Sequence, residues 1–421
     1  MKMPGNLSSD GYLLFSTRIV RLFAYGFLSV VLVLYLAEAG LTETQIGLLL
    51  TLTLIGDTAI SLWLTTRADR IGRRRMLAVG AGLMVFAGAW FALTRNFYLL
   101  LLAATIGVIS PSGYEVGPFL SIEQAGLSQL IPGDRRTQVF AWYNLVGSFA
   151  TAFGALCGGG LAQLLQETGM NSMGSYRAVV MGYAALGIAL LLLFSRLSPH
   201  VEALSFRSGT PQAGTAKDGT FLGLGPSRGV VLGLAGLFSL DAFAGGFVIQ
   251  SVVAYWFHLR FGVEPAVLGS IFFGANVLAG ISALSAVRLA ARIGLINTMV
   301  FTHIPSNVLL ILVPLMPNLP LAITVLLLRF SISQMDVPTR QSYTMAVVDP
   351  AERSAAAGVT GTARTVGASL APVFTGPLLE SPALMGMPFI ISGVLKIVYD
   401  LVLYRRFRAL KPPEERSEHS A

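Results

Sequence analysis

The chain has 421 residues, 54% hydrophobic and 12% charged, with a formal net charge of +8. Soluble domains carry about 25% charged residues, and a water-facing fold of this composition would lack the polar residues to cover its core, which excludes a soluble protein. The one cysteine, Cys157, excludes an internal disulfide, and the four histidines (His200, His258, His303, His419) are scattered, so neither a metal nor a cofactor is expected.

From the start, residues 1–11 are short and polar with no apolar run ending in a small-residue cleavage site, so no removable signal peptide is expected. Twelve apolar runs follow, near 12–37, 44–66, 76–94, 97–119, 137–165, 176–197, 229–257, 266–289, 296–316, 319–338, 353–378 and 384–404. Runs of about 20 residues cross a hydrocarbon layer of ~30 Å as helices. They are continuous rather than alternating, which excludes membrane strands. The stretch 198–228 is rich in Gly, Pro, Ser and charge and cannot bury a core. The expected organisation is therefore a six-helix bundle over 1–197, a cytoplasmic linker over 198–228, a second six-helix bundle over 229–408 and a cytoplasmic tail over 409–421.

With both ends cytoplasmic, 21 of the 29 Lys and Arg residues fall in inner segments, five within spans and only Arg95, Arg177 and Arg260 outside. That bias sets the orientation. It also accounts for the net charge, so nucleic acid is not an expected partner.

Between spans two and three runs Ala68-Asp69-Arg70-Ile71-Gly72, and between spans eight and nine, 222 residues later, Ala290-Ala291-Arg292-Ile293-Gly294. Span five, "AFGALCGG" at 152–159, is echoed by span eleven, "SLAPVFTG" at 369–376. Two related offsets imply a duplicated six-helix unit.

On these residues the chain resembles the major facilitator superfamily of secondary transporters. The family pattern at the first turn, roughly G-x-L-A-D-R-x-G-R-K/R, is matched by Asp69, Arg70, Gly72, Arg73 and Arg74. Thr65 replaces its first Gly and Arg67 its Leu. The resemblance implies an all-α integral membrane fold of 12 transmembrane helices in two pseudo-symmetric six-helix bundles. It also implies a latch: Gly72 permits the tight turn, and Asp69 is drawn to the positive N-terminal end of helix eleven, near Ser354–Gly358. That contact would favour the outward-open state, and Ala291 at the equivalent turn could not make it. Drug–proton antiporters of the superfamily carry G-x-x-x-G-P-x-x-G-G in span five. Here Gly154, Gly158 and Gly159 are kept, Ala150 and Ala155 replace the first Gly and the Pro, and Pro372 survives in span eleven. These small residues read equally as helix-packing positions.

Ionisable residues inside spans cost about 2.5–3.5 kcal/mol each at a helix centre on insertion scales, and so normally face a cavity or a partner. Asp57, Glu115, Asp241, Arg329 and Arg364 are the expected substrate and proton pathway. The alternative for them is a fixed ion pair, such as Asp241 with Arg364. Glu115 stands in "SPSGYEVGPF", where two prolines and two glycines predict a broken helix. Arg18 and Arg21 are either gate residues or cations snorkelling to the cytoplasm. Glu123 and Asp336 are expected to be solvated, Lys396 and Asp400 to pair with each other, and Cys157 and His303 to serve packing.

The chain is thus expected to be a secondary transporter of the inner (plasma) membrane of a prokaryote, monomeric, partnered by a small-molecule substrate, protons and the lipid bilayer. Proton-coupled efflux of a small organic compound is the leading reading. The alternatives are proton-coupled uptake of an anionic metabolite, with Arg329 and Arg364 on its charge, and a non-transporting membrane sensor. No phosphate-binding G-x-x-x-x-G-K-S/T is present, nor a nucleophile–base pair, so neither ATP hydrolysis nor an enzyme is expected.

Overall fold

The computed structural model describes residues 7–115, 117–131, 136–202, 224–349 and 352–410. Most of the expected linker (203–223) and tail (411–421) lies outside the described residues, as do Lys2 and Arg135. The regular elements are helices. They are α1 (Ser9–Ser29, continued by Leu32–Glu38), α2 (Glu43–Ile71), α3 (Arg73–Leu93), α4 (Phe97–Ile106, then Phe119–Leu130), α5 (Arg136–Glu167) and α6 (Ser172–Ser195). Then come α7 (Arg228–Gly246, then Gln250–Phe261), α8 (Pro265–Ile293), α9 (Leu295–Leu312), α10 (Leu319–Phe330, then Asp336–Ala346), α11 (Arg353–Leu370, then Pro372–Glu380) and α12 (Met387–Phe407).

Eight of these are long and apolar enough to cross a bilayer, and α1 makes a ninth across a 42° bend. The other three, α4, α10 and α11, are each two helices in series. Polar caps start several spans. Thr42 and Gln45 form a reciprocal capping box on α2, and Asn96, Asn171 and Asn318 each accept a backbone N–H at the start of α4, α6 and α10.

The chain divides into two compact units, residues 1–213 with 249–276, and residues 214–248 with 277–421. In the first, α1 packs on α5, α3 on α6 and α2 on α4; in the second, α7 packs on α11 and α9 on α12. Two of these three pairings are thus repeated six helices later, as a duplicated six-helix unit requires.

Small residues set how closely these helices approach. A Cβ at Gly154 would collide with the Phe23 carbonyl oxygen and one at Gly158 with that of Phe27, both on α1. Gly159 on the same helix abuts Pro265 and Gly269 of α8. In the second unit Gly367 of α11 abuts the Ser239 carbonyl, and Pro372 starts the second piece of that helix. Gly158→Val is expected to force α1 and α5 apart at a cost of about 1–3 kcal/mol or more. Gly160→Ala, where the added methyl meets open space, should leave thermal melting in detergent unchanged. Equal melting for both variants would refute the close-packing role of Gly158.

Two boundaries differ from the sequence expectation. Span four was expected to end at 119, but residues 107–115 and 117–118 are irregular and a helix resumes at Phe119 for twelve residues. Span ten likewise resumes at Asp336 and runs to Ala346. Both second pieces carry charge that reads as loop in sequence, and both bury it against partners on other helices. Cys157, expected in packing, is exposed.

Candidate functional site

The break in α4 comes from Gly107, Pro111, Gly113, Gly117 and Pro118, with Gly113 and Gly117 at φ of 73° and 79°. A broken helix frees carbonyls that must find donors. The Tyr183 hydroxyl donates to Val108 O at 2.7 Å, the Ser251 N–H to Pro111 O at 3.1 Å, and the Ser110 hydroxyl to Tyr114 O at 2.7 Å. This irregular segment carries Glu115 between α1 and α2.

There Glu115 meets both α1 arginines. Its Oε1 lies 2.6 Å from Arg18 Nη1 and 3.0 Å from Arg21 Nη2. Arg21 also forms a two-pronged contact with Glu123, at 2.6 Å to Oε1 and 2.8 Å to Oε2. Thr17 and Tyr143 donate their hydroxyls to Glu123, and Asn144 accepts from Arg18 at 3.2 Å. The Arg18 guanidinium lies over the Tyr143 ring and that of Arg21 over Phe119. Arg18 and Arg21 therefore do not snorkel. Nor is Glu123 solvated: it is fully buried, as is Arg21. The correction has one cause, since each charge is neutralised by an opposite charge on a neighbouring helix and needs no water.

Two acceptors in this region lack a donor. Glu115 Oε2 and Asp57 Oδ1 are buried without a hydrogen-bond partner. Asp57, on α2, lies close to the Gly117 backbone and to the Glu115 carboxylate. Among the described residues no cation lies within ion-pair distance of Asp57.

The second unit holds a larger network around Asp241 of α7. Lys396 of α12 donates to its Oδ1 at 2.6 Å. Its Oδ2 accepts from Arg364 of α11 at 3.0 Å and from Arg340 of α10 at 3.2 Å. Arg340 is itself held 2.6 Å from Asp336. His303 bridges towards the second α12 charge: its Nδ1 lies 2.9 Å from Asp400 Oδ1 and its Nε2 3.9 Å from Asp241. Asn307 donates to Asp400 Oδ2 at 3.2 Å.

Several expectations are corrected here. Lys396 and Asp400 do not pair with each other, although they stand one turn apart on α12, because each has a nearer partner on another helix. His303 is a polar member of the network rather than packing, and Asp336 is buried rather than solvated. The Asp241–Arg364 pair considered from sequence is present, but as one contact of four. Arg329 has its guanidinium 5.0 Å from the Phe330 ring centroid. Glu123, Asn144, Arg340, Lys396, His303 and Asp400 were missed as site residues. One signal was legible: polar residues four apart on otherwise apolar helices, His303 with Asn307 and Lys396 with Asp400.

At the charged turn, Gly72 has φ of 113° and ends α2 while starting α3. Gly294, its counterpart, has φ of 87°. Arg73 Nε donates to Asp69 Oδ1 at 2.8 Å, and the Asp69 side chain is 62% exposed. The first N–H groups of α3 find a carboxylate that sequence reading missed. Glu202 accepts from the backbone of Arg73 at 2.6 Å and of Arg74 at 3.3 Å, where a helix N-terminus favours negative charge. Arg70 is exposed, and Arg74 donates to Ser195 O at 3.3 Å.

Comparisons with known proteins agree with this architecture. The family model described as Major Facilitator Superfamily matches residues 14–372. The "Uncharacterized membrane protein YJR124C" of Saccharomyces cerevisiae is 33% identical over 419 residues, covering 94% of this chain and 93% of that one. The "Quinolone resistance protein NorA" of Staphylococcus aureus is 24% identical over 163 residues, 39% of each chain. Among solved structures, a variant of the nucleoside transporter NupG superposes with a TM-score of 0.72 over 95% of this chain and 100% of its own, at 14% identity.

Proposed function

The chain belongs to the Major Facilitator Superfamily, and from that premise we propose that it exports a small organic compound in exchange for protons by alternating access. The observation that carries the reading is the pair of buried, donorless carboxylate oxygens, Asp57 Oδ1 and Glu115 Oε2. A buried acceptor without a donor is costly, and a proton that comes and goes is the smallest donor that relieves it. Among the described residues no other carboxylate oxygen is buried without a hydrogen-bond partner. Asp57 and Glu115 are therefore the proton carriers, and Asp57, lacking a cation, is the first of them.

Export is supported by the partial similarity to a quinolone resistance protein and by Gly154, Gly158 and Gly159 of α5. The protein acts as a monomer in a plasma membrane with both termini in the cytoplasm, in keeping with its Lys and Arg bias. The test is reconstitution into lipid vesicles with an imposed pH gradient and labelled cationic, neutral and anionic compounds. Gradient-driven movement that a protonophore abolishes is expected. A compound that equilibrates across the vesicle wall at the same rate with or without the gradient would overturn proton coupling.

The charged turn is the cytoplasmic latch of this cycle, with Asp69 as its anion and Arg70, Gly72, Arg73 and Arg74 as its frame. Asp69 has one short tie, across the Gly72 turn to Arg73, and is otherwise exposed, which leaves it free to serve a second partner. Asp69→Asn keeps the shape and removes the charge. Gradient-driven transport should fall sharply with membrane level unchanged, whereas Ala291→Asp at the equivalent turn should do little. Equal losses from both changes would end the latch reading.

A further inference from the structure

The Asp241 network holds more cation than its central carboxylates use. Asp241 and Asp336 face three permanent cations, Arg340, Arg364 and Lys396. Asp400 balances the count formally, but His303 and Asn307 occupy its two oxygens. The three cations are not equally held. Lys396 sits 2.6 Å from Asp241 and Arg340 2.6 Å from Asp336, and both side chains are buried. Arg364 has one contact, 3.0 Å to an oxygen that Arg340 shares, and its side chain is 34% exposed.

The surroundings of Arg364 point the same way. It stands on α11 beside a helix face made of Gly358, Gly361, Thr362 and Thr365. A Cβ built at Gly358 or Gly361 meets nothing within 4 Å. A lipid-facing stripe would be apolar; a stripe of glycine and threonine beside a guanidinium suits a water- or ligand-filled space.

We propose that Arg364 binds an anionic group, a carboxylate or phosphate, of the transported compound, and that Asp241 is the carboxylate it holds while no ligand is present. A guanidinium offers parallel N–H donors that match either oxyanion two at a time. Arg364 can turn from Asp241 to a ligand without orphaning a buried acid, because Lys396 stays on Asp241 Oδ1 and Arg340 on Oδ2. The same is not true of Arg340, whose departure would leave Asp336 unpaired. This is why one arginine of the network is the ligand's and the other is structural.

The inference rests on the reading of the chain as a transporter of small organic compounds, and its test needs neither transport nor a gradient. The purified full-length protein is treated with phenylglyoxal, which modifies accessible guanidinium groups, and modification is read at each arginine by mass spectrometry. Arg364 should react while buried Arg21 and Arg340 do not. Benzoate, phenyl phosphate and short aliphatic carboxylates and phosphates form the protecting panel, with benzylamine, benzyl alcohol and inorganic sulfate as controls. Protection of Arg364 by at least one organic anion, absent with the amine, the alcohol and sulfate, is expected. An unreactive Arg364, no protection by any anion, or equal protection by benzyl alcohol or sulfate would each overturn the proposal. Those outcomes leave gradient-driven transport untouched, and failure of gradient-driven transport leaves the labelling result standing.

Discussion

Asp57→Asn is expected to reduce pH-driven transport to the level of protein-free vesicles while leaving the protein folded and substrate-for-substrate exchange intact. Among the described residues no cation lies within ion-pair distance of the carboxyl and its Oδ1 has no donor, so removing its charge unpairs nothing. What is removed is the ability to gain and lose a proton between the two access states. Exchange moves no net proton and survives. Glu115→Gln should also impair pH-driven transport, but with a second effect, because Glu115 Oε1 neutralises Arg18 and Arg21. Its melting temperature in detergent should fall where that of Asp57→Asn does not. Full pH-driven transport in both variants would remove these acids from the proton path.

The second large effect is on stability. Glu123→Ala should cost about 3–5 kcal/mol, the usual penalty for removing one partner of a buried ion pair. Arg21 and Glu123 are both fully buried, and their two-pronged contact is completed by the hydroxyls of Thr17 and Tyr143. Without the carboxylate, Arg21 keeps only the Glu115 oxygen it shares with Arg18. The paired change Arg21→Met with Glu123→Leu removes both charges together and should recover most of the melting temperature, because replacing a whole buried pair by apolar groups is often neutral. Recovery will be incomplete where Thr17 and Tyr143 lose their acceptor. A single change as stable as the parent protein would mean that water reaches Arg21.

These variants separate two kinds of membrane charge that look alike in a sequence. Asp57 and Glu123 are both acids on apolar helices, and spacing alone ranks Glu123 as a solvated residue near the surface. What distinguishes them is who stands opposite. Glu123 faces a guanidinium and two hydroxyls; Asp57 faces a backbone N–H and another acid. The first arrangement is a structural tie; the second is the one that the proposed proton path requires.

The sequence by itself determined the membrane-spanning class, the twelve crossings, the duplication, the charged turn and its bleached copy, and the break around Glu115. All of these are local properties. Hydropathy sums over about 20 neighbouring residues, turn glycines act on their own backbone, and proline breaks the helix it sits in. Only the tertiary structure decided the partners: Arg21 with Glu123, Lys396 with Asp241 rather than Asp400, and Arg340 with both Asp241 and Asp336. Spacing places a residue on a face of its own helix, but which neighbour that face meets depends on how each helix is rotated and how far it slides. Those two freedoms are settled by close packing at glycines such as Gly154, Gly158 and Gly367 and by the cost of leaving any buried charge without an opposite one.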